Sequence, residues 1–289
     1  MTCRVVRDIW FAPNPSTAIL GAMMSAPSAF QALMRHVSVI KINSVFGFPQ
    51  FASDATLEAF FHYLAGFNIR LAVDAEALTT APGGPGFGVE VFGAVGDLAT
   101  IFGRFKALGG TVSYVSYDEP WYFGNVVTGL SLATIASMAA NSTAIIKGIF
   151  PNCVIGEMEP VAGPNEFTGE VAQIEAWWAA YKSAAGQPFG FFHCDNEYGE
   201  SDWTQTYAPI VTIAKNAGVP VGAVINGIAD TSNTDAGWCT AAKAAASAIL
   251  SNPVIPNTFI VQSWNPNPSE VMDPTVPNTL AGILANVVG

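Results

Sequence analysis

Charge is scarce in this sequence. Only 11% of its 289 residues are Asp, Glu, Lys or Arg, against about 25% in an average soluble protein. The charge that is present leans one way, 22 acidic residues against 11 basic ones, for a formal net charge of −11. Nucleic-acid binding calls for a basic footprint, so no nucleic-acid partner is expected. No apolar run approaches the roughly 18 residues of a membrane span, and an anionic membrane surface would repel the chain, so no membrane partner is expected either. Histidine is nearly missing: His36, His62 and His193 are the full set, too few at strand ends for a multi-histidine zinc site. The four cysteines, Cys3, Cys153, Cys194 and Cys239, form no CxxC pair, which excludes a zinc knuckle or a thioredoxin-type motif. They are buried small hydrophobes or they form one or two disulfides, with Cys194 and Cys239 placed to meet near one rim. The turn after the first apolar strand reads Ala12-Pro13-Asn14-Pro15, where a dinucleotide-binding fold needs glycines. The glycine-rich stretch Gly83–Gly88 contains Pro85 and has no Lys-Ser/Thr after it, so it is no P-loop. No cofactor and no bound metal are expected.

Apolar residues, by contrast, are abundant at 51%, enough for a large core. The chain repeats one pattern: a short apolar run, a polar or Gly/Pro-rich stretch, then a longer helical segment. Eight strand cores emerge, at Val5–Ala12, Val37–Asn43, Ile69–Glu76, Val112–Asp118, Cys153–Glu159, Phe189–Asp195, Val219–Asn226 and Phe259–Trp264. Between them, Thr56–Gly66 carries apolar residues at 57, 60, 61 and 64, a helical spacing. Glu166–Ala185 ends at Gly186, a helix C-cap. Ser201–Ala217 begins with a capping serine and ends at Gly218. Thr240–Leu250 is alanine-rich, and a short helix closes the chain around Leu280–Val288. Alternating strands and helices imply a parallel sheet. Eight units imply closure into one (β/α)₈ barrel over residues 1–289, a fold of about 250 residues. The stretches Thr79–Val95 and Trp264–Asn278 are expected to be long loops at its mouth. No signal peptide is visible before the first strand, although the low charge content suits a secreted or periplasmic protein.

Alternate residues of a barrel strand face the interior, and the apolar ones should face the helices. That assignment turns Lys41, Asn43, Asp74, Glu76, Ser116, Asp118, Glu157, Glu159, His193, Asp195, Asn226, Gln262 and Trp264 inward. Most of them stand at the C-terminal ends of the strands, where such barrels hold their active sites. Six of these residues are carboxylates, with Glu119 beside them at the rim and only Lys41 as a cation. Like charges crowded together raise one another's pKa. This is a poor route to stability and a good route to a protonated acid beside an ionised base. Aromatic rings join them: Trp10, Trp121, Tyr122, Phe123, Tyr198, Trp203 and Trp264. Rings of this kind pack against sugar C–H faces.

The segment Ser116-Tyr117-Asp118-Glu119-Pro120-Trp121 resembles the Asn-Glu-Pro of a large clan of retaining (β/α)₈ glycosidases. Ser263-Trp264 resembles the same clan's substrate-platform tryptophan. The resemblance implies a glycoside hydrolase acting on a poly- or oligosaccharide, with Glu119 as acid/base and Asp118 in place of the Asn. That clan keeps its nucleophile at strand seven, yet here the seventh strand ends in Asn226 and the next carboxylate is Asp230. The second carboxylate must come from elsewhere. The pairing expected is Glu119 or Asp118 with Glu157, and Asp195 as a third candidate. Lys41, Asp74, Glu76, Glu159, His193, Asn226, Gln262, Trp264 and Trp121 are then substrate-binding. Two other readings stay open: a non-catalytic glycan-binding barrel and a Mg-dependent barrel enzyme using His193, Asp195, Asp118 and Glu157. The sequence leaves the oligomeric state open.

Overall fold

A computed structural model describes residues 8–288 except 15, 17, 44–51, 88, 90, 166, 229–233 and 265. Residues 5–7 of the first expected strand, Cys3, Glu166 and Asp230 lie outside the described residues. The strands are β1 (Asp8–Ala12), β2 (Val39–Asn43), β3 (Arg70–Ala75), β4 (Leu78–Thr80), β5 (Phe92–Ala94), β6 (Val112–Asp118), β7 (Val154–Val161), β8 (Phe192–Asn196), β9 (Val221–Ile225) and β10 (Thr258–Gln262). The helices are α1 (Ile19–Met24), α2 (Ser28–Met34), α3 (Asp54–Phe67), α4 (Asp97–Ala107), α5 (Leu132–Ile149), α6 (Glu170–Ala185), α7 (Thr204–Asn216), α8 (Asp235–Ser251) and α9 (Leu280–Val288).

Eight strands close a parallel barrel in the order β1-β2-β3-β6-β7-β8-β9-β10, with β10 pairing back onto β1. Parallel neighbours need a crossover, and helices supply it. Their ends are set locally. Ser53, Ser131 and Thr234 accept a hydrogen bond from the backbone N–H three residues on, capping α3, α5 and α8. Asn68 and Gly186 end α3 and α6 in the left-handed conformation. Ser201 is no cap, because α7 starts three residues later at Thr204 behind Trp203.

The stretch expected as a loop from Thr79 to Val95 contains structure. β4 and β5 pair in parallel as a separate two-stranded sheet, and Leu78 of β4, Phe92 of β5 and Val91 before it are buried. Gly86 is required there, since a Cβ would stand 2.2 Å from the Phe92 ring. Helix α5 is long and apolar enough to cross a bilayer by length and composition. It serves as a barrel helix: Ser142 donates to the Ala77 carbonyl at 2.8 Å, and Thr143 bonds the hydroxyls of Tyr117 and Tyr181, each at 2.9 Å.

Two cores result. The larger one lies between strands and helices and takes Phe11, Ile40, Val73, Val115, Tyr117, Ile155, Val161, Phe192, Ala223 and Val261. The smaller fills the barrel with Trp10, Val39, Ala72, Met158, Phe191, Val224 and Ile260, against Tyr114. Trp10 is therefore a barrel plug, not a mouth residue: its ring centroid lies 5.0 Å from Tyr114, 5.4 Å from Phe191 and 4.7 Å from His193. Cys194 and Cys239 form no disulfide. With Cys153 they are buried free thiols, and burial pushes Cys239 up to about 11 and Cys153 up to about 12. Trp10→Ala should lower unfolding free energy by about 3–5 kcal/mol, read by urea denaturation. A loss below about 1 kcal/mol would mean that the ring does not hold the barrel interior together.

Candidate active site

The C-terminal strand ends surround a pocket of about 390 Å³, within the size range of small-molecule sites. β2 contributes Lys41 and Asn43, and β3 contributes Asp74. Asp118 ends β6, and Glu119 follows it. β8 and the loop after it bring Asp195, Asn196, Glu197 and Tyr198. Asn226 follows β9, while Gln262 ends β10 and leads into Ser263 and Trp264. Of the residues expected from sequence, Lys41, Asp74, Asp118, Glu119, Asp195, Asn226, Gln262 and Trp264 share this pocket.

Internal contacts orient several of these side chains. Lys41 Nζ donates to Asp74 Oδ2 at 2.9 Å and approaches Met158 Sδ at 3.7 Å. Asn226 Nδ2 donates to Asp195 Oδ1 at 2.9 Å, which fixes the tilt of that carboxylate. Tyr198 donates to the Val224 carbonyl at 2.6 Å and accepts from Asn196 Nδ2 at 3.2 Å, tying the β8 loop to β9. Trp264 is 49% exposed at the rim, edge-on to Trp238 at 5.8 Å.

Glu119 has φ +50°, the left-handed region that costs an L-residue about 1–2 kcal/mol. Its backbone is pinned from both sides: its N–H donates to the Met158 carbonyl at 2.8 Å, and its own carbonyl accepts from Phe123 N at 3.0 Å. Strained backbone that the surroundings over-determine clusters at functional sites.

Five expected site residues lie elsewhere. β7 is turned the opposite way from the sequence assignment: Met158 faces the barrel interior, while Ile155 and Val161 face the helices. Glu157 and Glu159 share the parity of Ile155 and Val161, so they point outward. Glu157 accepts from both indole N–H groups of α6, from Trp177 at 2.5 Å and from Trp178. Glu159 accepts from the backbone N–H of Trp121 at 2.6 Å and of Tyr122 at 3.1 Å. It thereby caps the π-helical turn Tyr122–Val127, whose unsatisfied N–H groups favour an anion. Trp121 is fully buried in the outer core, 5.8 Å from Phe167. Glu76 is buried against Gly93 of β5, where a Cβ would stand 3.2 Å from its side chain. His193 does point inward but lies below the pocket, beside Trp10 and Phe191. Burial and the Lys41 charge hold it well below the usual histidine range, so it is neutral.

Glu197 is the carboxylate that the sequence assignment missed. β8 runs one residue further than expected, to Asn196, and Glu197 keeps the parity of His193 and Asp195. Extending the period-two pattern past Asp195 would have found it. Among the described residues, no three His, Cys, Asp or Glu side chains converge as metal ligands do.

No family model and no curated protein sequence matches the chain. Solved structures do match its fold. A glucosidase from Croceicoccus marinus superposes with a TM-score of 0.52 at 14% identity over 89% of this chain, which spans only 59% of the glucosidase. An endo-β-1,3-glucanase from Pseudomonas viridiflava gives 0.51 at 12%, covering 96% of each chain. Xylanase 10B from Thermotoga maritima gives 0.51 at 10%, over 98% of this chain and 96% of that one. The carboxyl transferase domain of Rhizobium etli pyruvate carboxylase matches equally well, with 0.52 at 11% over 89% of this chain and 40% of the other. These are likenesses of fold: the barrel is that of several glycoside hydrolases and of other enzymes.

Two outcomes follow from this geometry. Burial pushes the Glu157 carboxyl up to about 8 from an ordinary 4.5, against the pull of its two indole donors. Burial, reinforced by the charge of Glu157, also holds Glu159 well above the usual range. Between these pH values the folded state keeps a proton that the unfolded chain has released, so stability falls as pH rises from about 4.5 through about 8. Thermal unfolding across that window should show the decline, with a flatter slope for Glu157→Gln; equal slopes would remove Glu157 as its source. At position 119, the Gly variant should be about 1 kcal/mol more stable than the Ala variant, since only Ala keeps the left-handed strain. An Ala variant as stable as the Gly variant would show that no strain is stored there.

Proposed function

We propose that the chain is a glycoside hydrolase whose substrate enters the pocket at the C-terminal ends of the barrel strands. The observation carrying this reading is that carboxylates from three separate strand ends, β3, β6 and β8, line one pocket beside the half-exposed ring of Trp264. The likeness of the barrel to a glucosidase, a glucanase and a xylanase supports it. Glycoside hydrolysis needs a carboxylic acid to protonate the leaving oxygen and a second carboxylate to attack carbon or activate water. Glu119, on its pinned and strained backbone, is the acid. Asp195, oriented by Asn226, is the second carboxylate, with Glu197 two residues on as its neighbour at the wall. Lys41, Asp74, Asp118, Asn226 and Gln262 bind hydroxyls, and Trp264 carries a sugar face. Glu157 has no part in the chemistry, because both its oxygens are committed to α6.

A second reading, glycan binding without turnover, is favoured by one observation: the seventh barrel strand, β9, leads into Asn226, where the resembling clan places its nucleophile. Reducing-end release from a panel of glucans and xylans separates the two. Glu119→Gln and Asp195→Asn should each cut turnover by roughly 10²–10⁴-fold, while Glu157→Gln, once folded, keeps it. Sugar binding with no release by the unaltered protein would establish the second reading, and full activity in Asp195→Asn would move the second carboxylate to Glu197.

A further inference from the structure

Among the described residues, the pocket lining holds five carboxylates, Asp74, Asp118, Glu119, Asp195 and Glu197, and a single cation, Lys41. Lys41 is held by Asp74 Oδ2. Lysines are placed at the other end of the barrel. Lys106, Lys147, Lys182 and Lys215 stand in the last turns of α4, α5, α6 and α7, each of which leads back to the start of a strand. There they also complement the negative ends of the helix dipoles. The charge of the molecule is thus segregated along the barrel axis, with acid at the pocket.

A second observation concerns hydrogen bonding. Asp74 Oδ1 and Gln262 Oε1 are buried acceptors with no partner among the described residues. Asp74 is only 4% exposed and Gln262 only 6%, and both line the pocket. Buried acceptors without an internal partner are met by ordered water or by the donors of a ligand, and these two face the pocket. A metal ion answers poorly, because no three acidic or histidine side chains converge among the described residues. The acids are spread around the mouth, which suits an extended ligand carrying several separated donors.

Resting on the carbohydrate reading above, we propose that this pocket takes a cationic glycan, an oligosaccharide of amino sugars with free amines. Each ammonium brings a positive charge to an acidic wall and N–H donors to acceptors such as Asp74 Oδ1 and Gln262 Oε1. Desolvated charge-assisted bonds of this kind are roughly twice as strong as neutral ones. The net charge of −11 also steers a cationic oligomer inward. Uronic acids and sulfated sugars are disfavoured by the same wall.

The test is calorimetric binding of three hexasaccharides to the full chain: fully deacetylated glucosamine, its N-acetylated form and cellohexaose. The deacetylated oligomer should bind at least about tenfold tighter than the other two in low salt. That advantage should shrink as ionic strength rises past about 0.1 M, where the screening length falls to about 10 Å. Gln262→Met, which removes an acceptor at constant charge, should weaken its binding roughly fivefold. Equal or tighter binding of a neutral oligomer overturns the cationic assignment and leaves the carbohydrate reading standing. Absence of binding to all three overturns both. Unchanged affinity in Gln262→Met places the oligomer outside this pocket and also overturns the assignment.

Discussion

A barrel strand gives each side chain one of two destinations, and the rest of this structure depends on that binary choice. Inward residues meet in a narrow interior that closes below on Trp10, Phe191 and Met158 and opens above into the pocket. Outward residues enter the layer under the helices, where a polar group must find its own partner or pay the desolvation cost. One step of parity separates a group that can reach a ligand from one that is locked in the scaffold.

The three carboxylates of β7 and β8, with Glu197 just after β8, show both fates. Asp195 and Glu197 reach the pocket wall. Glu157 and Glu159 are fully buried on the outside, where two indoles and two backbone N–H groups satisfy them. The outward pair still bears on the site. Glu159 caps the turn that starts three residues after Glu119, and the Met158 carbonyl holds the Glu119 N–H. The strand carrying these buried carboxylates therefore fixes the strained backbone that presents Glu119 at the pocket.

Much of this was legible in the sequence. Eight strand–helix units predicted the closed parallel barrel, because crossovers between parallel strands admit few other arrangements. The polar ends of seven strands predicted which residues would gather at the barrel mouth, and residues on or just after β2, β3, β6, β8, β9 and β10 line the pocket there. The reading failed at Glu157-Met158-Glu159. There, two acids flanking an apolar residue look the same as an inward polar pair with an outward methionine. It failed again at Trp121 and Glu76, which lie beyond the ends of β6 and β3, where strand parity no longer applies and packing against Phe167 and Gly93 decides.

The sequence by itself determined the barrel, its acidic mouth and the scarcity of cations there, since these follow from periodicity and composition alone. Only the tertiary structure decided which acids belong to the pocket. Facing is set by the register of β7 against β6 and β8 and by what α6 offers from outside, and two adjacent tryptophans 20 and 21 residues further along the chain are what draw Glu157 away from the barrel interior.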